Sequence, residues 1–223
     1  MDSIEFNKYF IDVCKNNNIE LNNDMDLVLF YKYMNNILKW NEVINLTAIK
    51  EPKEFIVKHY ADSLTVVSCF NDLSKKDRIK VIDIGTGAGF PGIPLKLAIK
   101  NLDITLIDSV NKKLNCIRDS IKEFGLKDVE IIHTRAEDLA KNKKYAEHYD
   151  VVVTRAVSNF NNIINYMLPF LKKDGIAVCM KGPNYKEELV GSDKVLKRYN
   201  AHIERIDEFT IEGNERYNII IKK

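Results

Sequence analysis

The stretch Val81-Ile82-Asp83-Ile84-Gly85-Thr86-Gly87-Ala88-Gly89-Phe90-Pro91-Gly92 decides the fold. An apolar run over residues 80–84 leads into a glycine-dense turn, and Ile93-Pro94-Leu95-Lys96-Leu97-Ala98 then reads as helix. Strand, tight loop and helix start in that order open a nucleotide-type site in a doubly wound α/β domain. Glycine suits such a loop because it reaches positive φ at little cost and lets a ligand come close to the backbone. Pro94 suits the first helical turn, where its missing N–H has no partner to lose.

Gly85, Gly87 and Gly89 give G-x-G-x-G, not the G-x-G-x-x-G of a dinucleotide loop. Phe90 beside the loop suits a ligand with a flat base, and Asp83, two residues before the first glycine, suits one with a positive charge. Both favour S-adenosylmethionine, a sulfonium with an amino group, over NAD. A glycine-rich turn with no ligand is the bland alternative.

Outward from this loop the pattern alternates. Strands are expected over residues 80–84, 103–108, 130–133, 150–154 and 176–180, each followed by a helical stretch, among them 111–124 (stopped by Gly125), 159–171 and 186–199. Two last strands, about 206–211 and 217–222, flank Glu212-Gly213-Asn214, a hairpin turn. A mainly parallel seven-stranded sheet with an antiparallel end follows. Before it, residues 3–17, a stripe from Leu27 to Trp40 capped by Asn22-Asn23-Asp24, and residues 53–70 have helical spacing. The expected organisation is a helical N-terminal extension over 1–74 and a ligand-binding domain over 75–223.

The apolar share of 45% and charged share of 30% describe a globular chain with a real core, and no run approaches the roughly 18 apolar residues of a membrane span. The first residues lack a basic start and an apolar core, and the four cysteines are scattered, with no C-x-x-C and no histidine at zinc-like spacing. A cytoplasmic protein with reduced thiols and no metal site is expected. Net charge is only +2, but residues 1–74 carry a balance of −4 and residues 75–223 one of +6. Basic clusters such as Lys112-Lys113 and those at 141–144 and 194–198 are equally readable as a solvated face or as nucleic-acid contacts.

Several residues carry chemistry. Asp108 ends the second strand, 19 residues beyond Gly89, where an acid can accept hydrogen bonds from a ribose diol. Ala136 and Glu137 follow the third strand, where an adenine edge would lie. Arg155 follows the fourth, at the carboxyl edge of the sheet. There, enzymes that methylate exocyclic amines carry an Asn/Asp-Pro-Pro-aromatic run, whereas this chain has Thr154-Arg155-Ala156-Val157. Cytosine C5 methylation needs a cysteine nucleophile, often after a proline, and no Pro-Cys occurs. His59, Asp62 and Ser63 share a helical face, but neighbours on one helix rarely align as a triad. A polar surface cluster, or a face turned to the substrate or cofactor, fits them better.

Together these residues resemble the glucose-inhibited division protein B family, bacterial small-subunit rRNA methyltransferases acting on guanine N7. The likeness is carried by Lys39-Trp40-Asn41, residues 44–49, His59 with Asp62-Ser63-Leu64, the glycine-rich run to Pro94, Asp108-Ser109 with Lys112-Lys113, Arg135-Ala136-Glu137 and Arg155-Ala156-Val157. Cys116-Ile117 depart from the aromatic-aliphatic pair common there.

The resemblance implies a Rossmann-like class I S-adenosylmethionine-dependent methyltransferase fold, with Gly85, Phe90, Ala136, Glu137 and Arg155 lining the cofactor site. The loop position of Gly87 and the strand-end position of Asp108 add those two. It implies 16S rRNA, in the small ribosomal subunit or an assembly intermediate, as substrate. N7 has a lone pair and no proton, so no catalytic base is expected. Candidate RNA contacts are His59, Asp62, Lys96, Arg155 and Lys181, with Lys58 and Lys112. A monomer is expected. Rival readings are an S-adenosylmethionine-binding ribosome assembly factor, a methyltransferase of small molecules or proteins and, more distantly, a dehydrogenase.

Overall fold

Strand β1 (Ile79–Ile84) is the axis of a seven-stranded sheet, and the computed structural model describes residues 1–21, 25–155 and 159–223 around it. The other strands are β2 (Leu102–Asp108), β3 (Val129–His133), β4 (Tyr149–Arg155), β5 (Leu171–Lys181), β6 (His202–Ile211) and β7 (Asn214–Lys222). Their order is β3-β2-β1-β4-β5-β7-β6. The first five are parallel, while β7 runs antiparallel to both β5 and β6. Val151, Val152 and Val153 are buried, as expected of a strand covered on both faces. The chain leaves β1 toward β2 on one side and reaches β4 on the other, so a crevice opens where these strands end. The hairpin turn is built by Glu212 and Gly213, both at positive φ (45° and 78°).

Helices α1 (Ser3–Asn16) and α2 (Leu27–Ile44) lie over one face of the sheet, with α5 (Gly92–Ala98) and α6 (Asn111–Phe124). Their apolar stripes join that face in a single core containing Phe6, Phe30, Ile37, Val81, Leu95 and Ile104. A second core on the opposite face gathers Ile82, Val152 and Ile219 with Phe160 and Met167 of α8 (Phe160–Met167). Asn22, Asn23 and Asp24, the expected cap of α2, lie outside the described residues. The observed cap is Asp26, whose carboxylate accepts from the Val28 and Leu29 N–H groups.

Three helical expectations change. The helix expected over 53–70 is four pieces: α3 (Pro52–Phe55), a π-helical stretch Ile56–Ala61, α4 (Asp62–Leu64) and a 3₁₀ stretch Val67–Leu73. Most of residues 55–67 are buried, so no exposed face holds a uniform helix in register. The widened turn adds a residue between neighbours on one face, a device frequent at functional sites. The helix expected over 186–199 breaks at Gly191 (φ 80°) into α9 (Tyr185–Glu188) and α10 (Ser192–Arg198). The one expected over 159–171 ends at Met167, and Pro169 sits in the short 3₁₀ turn that leads into β5.

All four cysteines are free and buried, on α1, the 3₁₀ stretch, α6 and β5, and burial pushes their thiols up to between about 11 and about 12. No helix of the described residues is long and apolar enough to cross a membrane.

Candidate functional site

The glycine-rich loop is tied down from below. The Gly85 and Thr86 N–H groups both donate to the Ile107 carbonyl, at 2.9 and 3.0 Å. Gly85, Gly87 and Gly89 have φ of 71°, 59° and 87°, a region closed to most side chains. A Cβ on Gly89 would stand 2.3 Å from the Tyr33 hydroxyl, which donates to the Ala88 carbonyl at 2.7 Å, so the N-terminal helices press directly on the loop. A Cβ on Gly87 would meet nothing within 4 Å, so the opposite side of the loop is open.

A cleft of about 390 Å³ lies at the carboxyl ends of β1, β2 and β3, and Gly87 adjoins it through its hydrogen bond to Asp108 without lining it. Gly85, Asp108, Ala136 and Glu137 line it. Ala136 starts α7 (Ala136–Leu139) and Glu137 is exposed beside it. Asp108 is 8% exposed, with Oδ2 accepting from the Gly87 N–H (2.9 Å) and Oδ1 from the Val110 N–H (2.8 Å). Each oxygen keeps a lone pair for a further donor. Size, the open space over Gly87 and a fixed carboxylate fit an adenosyl group bearing a ribose diol. Lys113, Arg135 and Tyr166 also line the cleft; the first two belong to motifs quoted from the sequence but were not expected at the cofactor, and Tyr166 was not singled out.

Asp83 serves the loop rather than an open ligand surface. It is fully buried, and its Oδ2 accepts from the Thr86 hydroxyl (2.6 Å) and the Gly92 N–H (2.9 Å). Burial raises its pKa to about 6 against the opposing pull of those two donors. Oδ1 has no partner among the described residues, which leaves one buried acceptor beside the loop.

Across the β1/β4 junction lies a second pocket, of about 580 Å³, and Arg155 at the end of β4 is its centre. The guanidinium donates to the Lys58 carbonyl (3.1 Å), Asp62 Oδ2 (3.0 Å) and His59 Nδ1 (3.1 Å), and lies 5.2 Å from the Phe90 ring centroid. Arginine only donates, so His59 Nδ1 accepts, and the ring proton sits on Nε2, 3.0 Å from the Thr47 hydroxyl oxygen. Burial, then Arg155 and Lys58, lower the His59 pKa to about 3, so the ring is neutral. Ser63 donates to the His59 carbonyl and not to its ring, which removes the triad arrangement. Nor is this a surface cluster, since Asp62 and Ser63 are 6% and 0% exposed.

The structure divides the expected cofactor residues. Gly85, Asp108, Ala136 and Glu137 line the first cleft and Gly87 stands beside it, bonded to Asp108, whereas Arg155 belongs to the second pocket. Phe90 opens onto neither: it is 4% exposed, stacked on His59 at 4.6 Å and edge-on to Phe55 and Tyr33. The aromatic that suited a flat ligand is thus spent on joining loop to helices. Lys58, His59, Asp62 and Lys181 line the second pocket. Lys112 is exposed on the first turn of α6. Lys96 points the wrong way: its ammonium donates to the Leu102 carbonyl at the amino end of β2, the far edge of the sheet.

Sequence reasoning missed Glu188, Arg216 and Asn218 in the second pocket. Asn218 and Tyr217 pair with Met180 and Lys181 because β7 is antiparallel, so the start of β7 meets the carboxyl end of β5. An antiparallel end to the sheet was expected, but not the register that carries Arg216 and Asn218 into this pocket. Ala156 and Val157, part of the motif after β4, lie outside the described residues.

The family model described as rRNA small subunit methyltransferase G (GidB) matches residues 26–217. A Thermoanaerobacter sp. (strain X514) protein named ribosomal RNA small subunit methyltransferase G is 41% identical over 196 residues, covering 87% of this chain and 80% of that protein. The protein of the same name from Clostridium novyi (strain NT) is 41% identical over 208 residues, covering 92% and 84%. Among solved structures, M. jannaschii TYW2 in complex with AdoMet aligns with a TM-score of 0.54 at 15% identity, over 70% of this chain and 75% of that one. That likeness concerns the fold, a Rossmann-like class I methyltransferase sheet. With a model match over most of its length and relatives at this identity, the chain belongs to the rRNA small subunit methyltransferase G (GidB) family.

Proposed function

We propose that this chain transfers the methyl group of S-adenosylmethionine to N7 of a guanine in 16S rRNA, acting as a cytoplasmic monomer on the small ribosomal subunit or an assembly intermediate. The observation that carries the reading is a pair of clefts at the carboxyl edge of one sheet. A ligand-sized cleft with a fixed Asp108 lies on one side, and a cation-lined pocket on the other, in a member of an rRNA methyltransferase family.

In this reading Asp108 accepts the ribose hydroxyls, Ala136 and Glu137 flank the adenine, and the Gly85–Gly89 backbone leaves room for the chain that carries the sulfur. When bound, S-adenosylmethionine supplies an electrophilic methyl group on a sulfonium. The N7 lone pair forms the new C–N bond, the C–S electron pair returns to sulfur, and the base becomes cationic without losing a proton. No general base is required, and the pocket's one histidine is neutral with both ring nitrogens engaged. What remains for the protein is alignment, which in well-oriented reactants contributes roughly 7–11 kcal/mol. Lys58, Arg155 and Arg216 give the pocket rim the positive charge that an RNA backbone requires.

The test is to map N7-methylguanine in small-subunit rRNA, by chemical cleavage at the modified base, in cells with and without the protein. One cleavage site that disappears with the protein is expected. An unchanged pattern, with cofactor binding intact, would favour an assembly factor instead.

A further inference from the structure

Glu188, the last residue of α9, is held from two directions. Its Oε2 accepts from the Phe160 N–H at the start of α8 (3.0 Å) and from the Lys181 ammonium (2.6 Å). Lys181 itself is nearly buried, with its side chain 8% exposed, so the anchor is rigid. The other oxygen, Oε1, makes no hydrogen bond or ion pair with any described residue, and the side chain is 30% exposed in the wall of the second pocket. Two donors thus fix a carboxylate that lines the pocket and whose other oxygen has no partner among the described residues. The fold does not need this oxygen, because the cap on α8 and the ion pair both use Oε2.

The pocket is polarised around it. Asp62 is held as an ion pair on both sides, Oδ2 hydrogen-bonded to Arg155 and Oδ1 3.2 Å from Arg216 Nε, although Oδ1 accepts no hydrogen bond from a described residue and is buried, unlike Glu188. Lys58, Arg155 and Arg216 contribute cations. Such a pocket holds a nucleotide in one sense, phosphate toward the cations and base edge toward the available carboxylate oxygen. Of the two purines only guanine places two donors side by side, N1–H and the N2 amine, on its Watson–Crick edge, whereas adenine sets the N1 acceptor beside its N6 amine. The face that reads these donors leaves N7, on the opposite edge, exposed.

We infer that Glu188 is the specificity-determining residue for the target base, its Oε1 accepting from N1–H and the N2 amine of guanine. The inference rests on the guanine-N7 reading above. The same carboxylate favours the cationic product, since methylation at N7 places positive charge on the ring it contacts.

The test compares small-subunit rRNA carrying guanosine or inosine at the methylated position, with wild-type protein and Glu188→Gln. Inosine keeps N7, O6 and N1–H and lacks the N2 amine. With the wild type, inosine should lower kcat/KM by about 10- to 100-fold, the loss expected for a hydrogen bond to a charged acceptor. E188Q should lower turnover of guanosine by more than it lowers that of inosine, which has only its N1–H contact to lose, so that the ratio between the two RNAs shrinks toward one. S-adenosylhomocysteine affinity should stay the same. Equal wild-type rates on the two RNAs overturn the inference without involving any variant, and so does an E188Q that slows both RNAs alike. Absence of methyl transfer to the guanosine RNA by wild type would instead overturn the underlying reading, and this inference with it.

Discussion

Replacing Asp108 by asparagine separates what the strand-end acid does for the loop from what it does for a ligand. The carboxylate accepts one backbone N–H on each oxygen, from Gly87 at 2.9 Å and Val110 at 2.8 Å. An amide has a single acceptor atom, so in either orientation one of these N–H groups faces an NH₂. Losing one hydrogen bond to a charged acceptor costs about 1.5–3 kcal/mol. At roughly 2–4 °C per kcal/mol for a chain of this size, D108N should melt about 3–12 °C lower. The ribose loses an acceptor of the same kind, which is about 10- to 150-fold in affinity. Calorimetric titration with S-adenosylhomocysteine and with its 2′-deoxy analogue reads the second effect alone. Wild type should prefer the parent ligand by about that factor, and D108N should bind both with similar, weak affinity. A wild type indifferent to the 2′-hydroxyl, or a D108N that binds within threefold of it, would refute the assignment.

Four further outcomes follow from the geometry. Asp83 has a folded pKa of about 6 against an ordinary 3.8, so between these values the native state holds a proton that the unfolded chain lacks and stability rises as pH falls. Relative to Asp83→Asn, the wild type should gain about 1.4 kcal/mol between pH 7.5 and pH 5 in urea unfolding, and a difference that shrinks on acidification would contradict the burial argument. Gly89→Ala places a Cβ 2.3 Å from the Tyr33 hydroxyl and 2.8 Å from Ile93 Cγ1 at a φ of 87°, and should destabilise by about 3 kcal/mol or more in thermal melts. Arg155→Gln removes the cation facing His59 and should raise that ring's pKa from about 3 while burial keeps it below 6.5, as followed by NMR of the histidine ring protons; no movement would show that Arg155 contributes nothing there. Lys96→Ala should leave KM for rRNA within about twofold, because that ammonium sits at the amino edge of the sheet.

Residues 81–92 were legible because their conformation leaves few alternatives. Positive φ at Gly85, Gly87 and Gly89 excludes most side chains, and an acid at the end of β2 is fixed in place by parallel pairing with β1. The sheet was legible for a related reason, since strands buried on both faces read as unbroken apolar runs. Phe90 misled because a large apolar ring beside a loop can face either a ligand or the protein, and only the placement of Tyr33, Phe55 and His59 decides which. Periodicity could not reveal the π-helical stretch Ile56–Ala61, since a single added residue leaves the apolar spacing nearly intact while redirecting His59 and Asp62. Glu188 and Arg216 escaped notice for want of any local signal. Each reaches the pocket through long-range pairing, one across α8 and the other through the reversed strand β7.

A crystal structure of the protein with S-adenosylhomocysteine tests the central claim most directly. The account requires the adenosyl group over the carboxyl ends of β1, β2 and β3, its ribose within hydrogen-bonding distance of Asp108, and its sulfur directed toward the pocket that holds Arg155. An adenosyl group bound in the Arg155 pocket itself, or away from the Gly85–Gly89 loop, would contradict it.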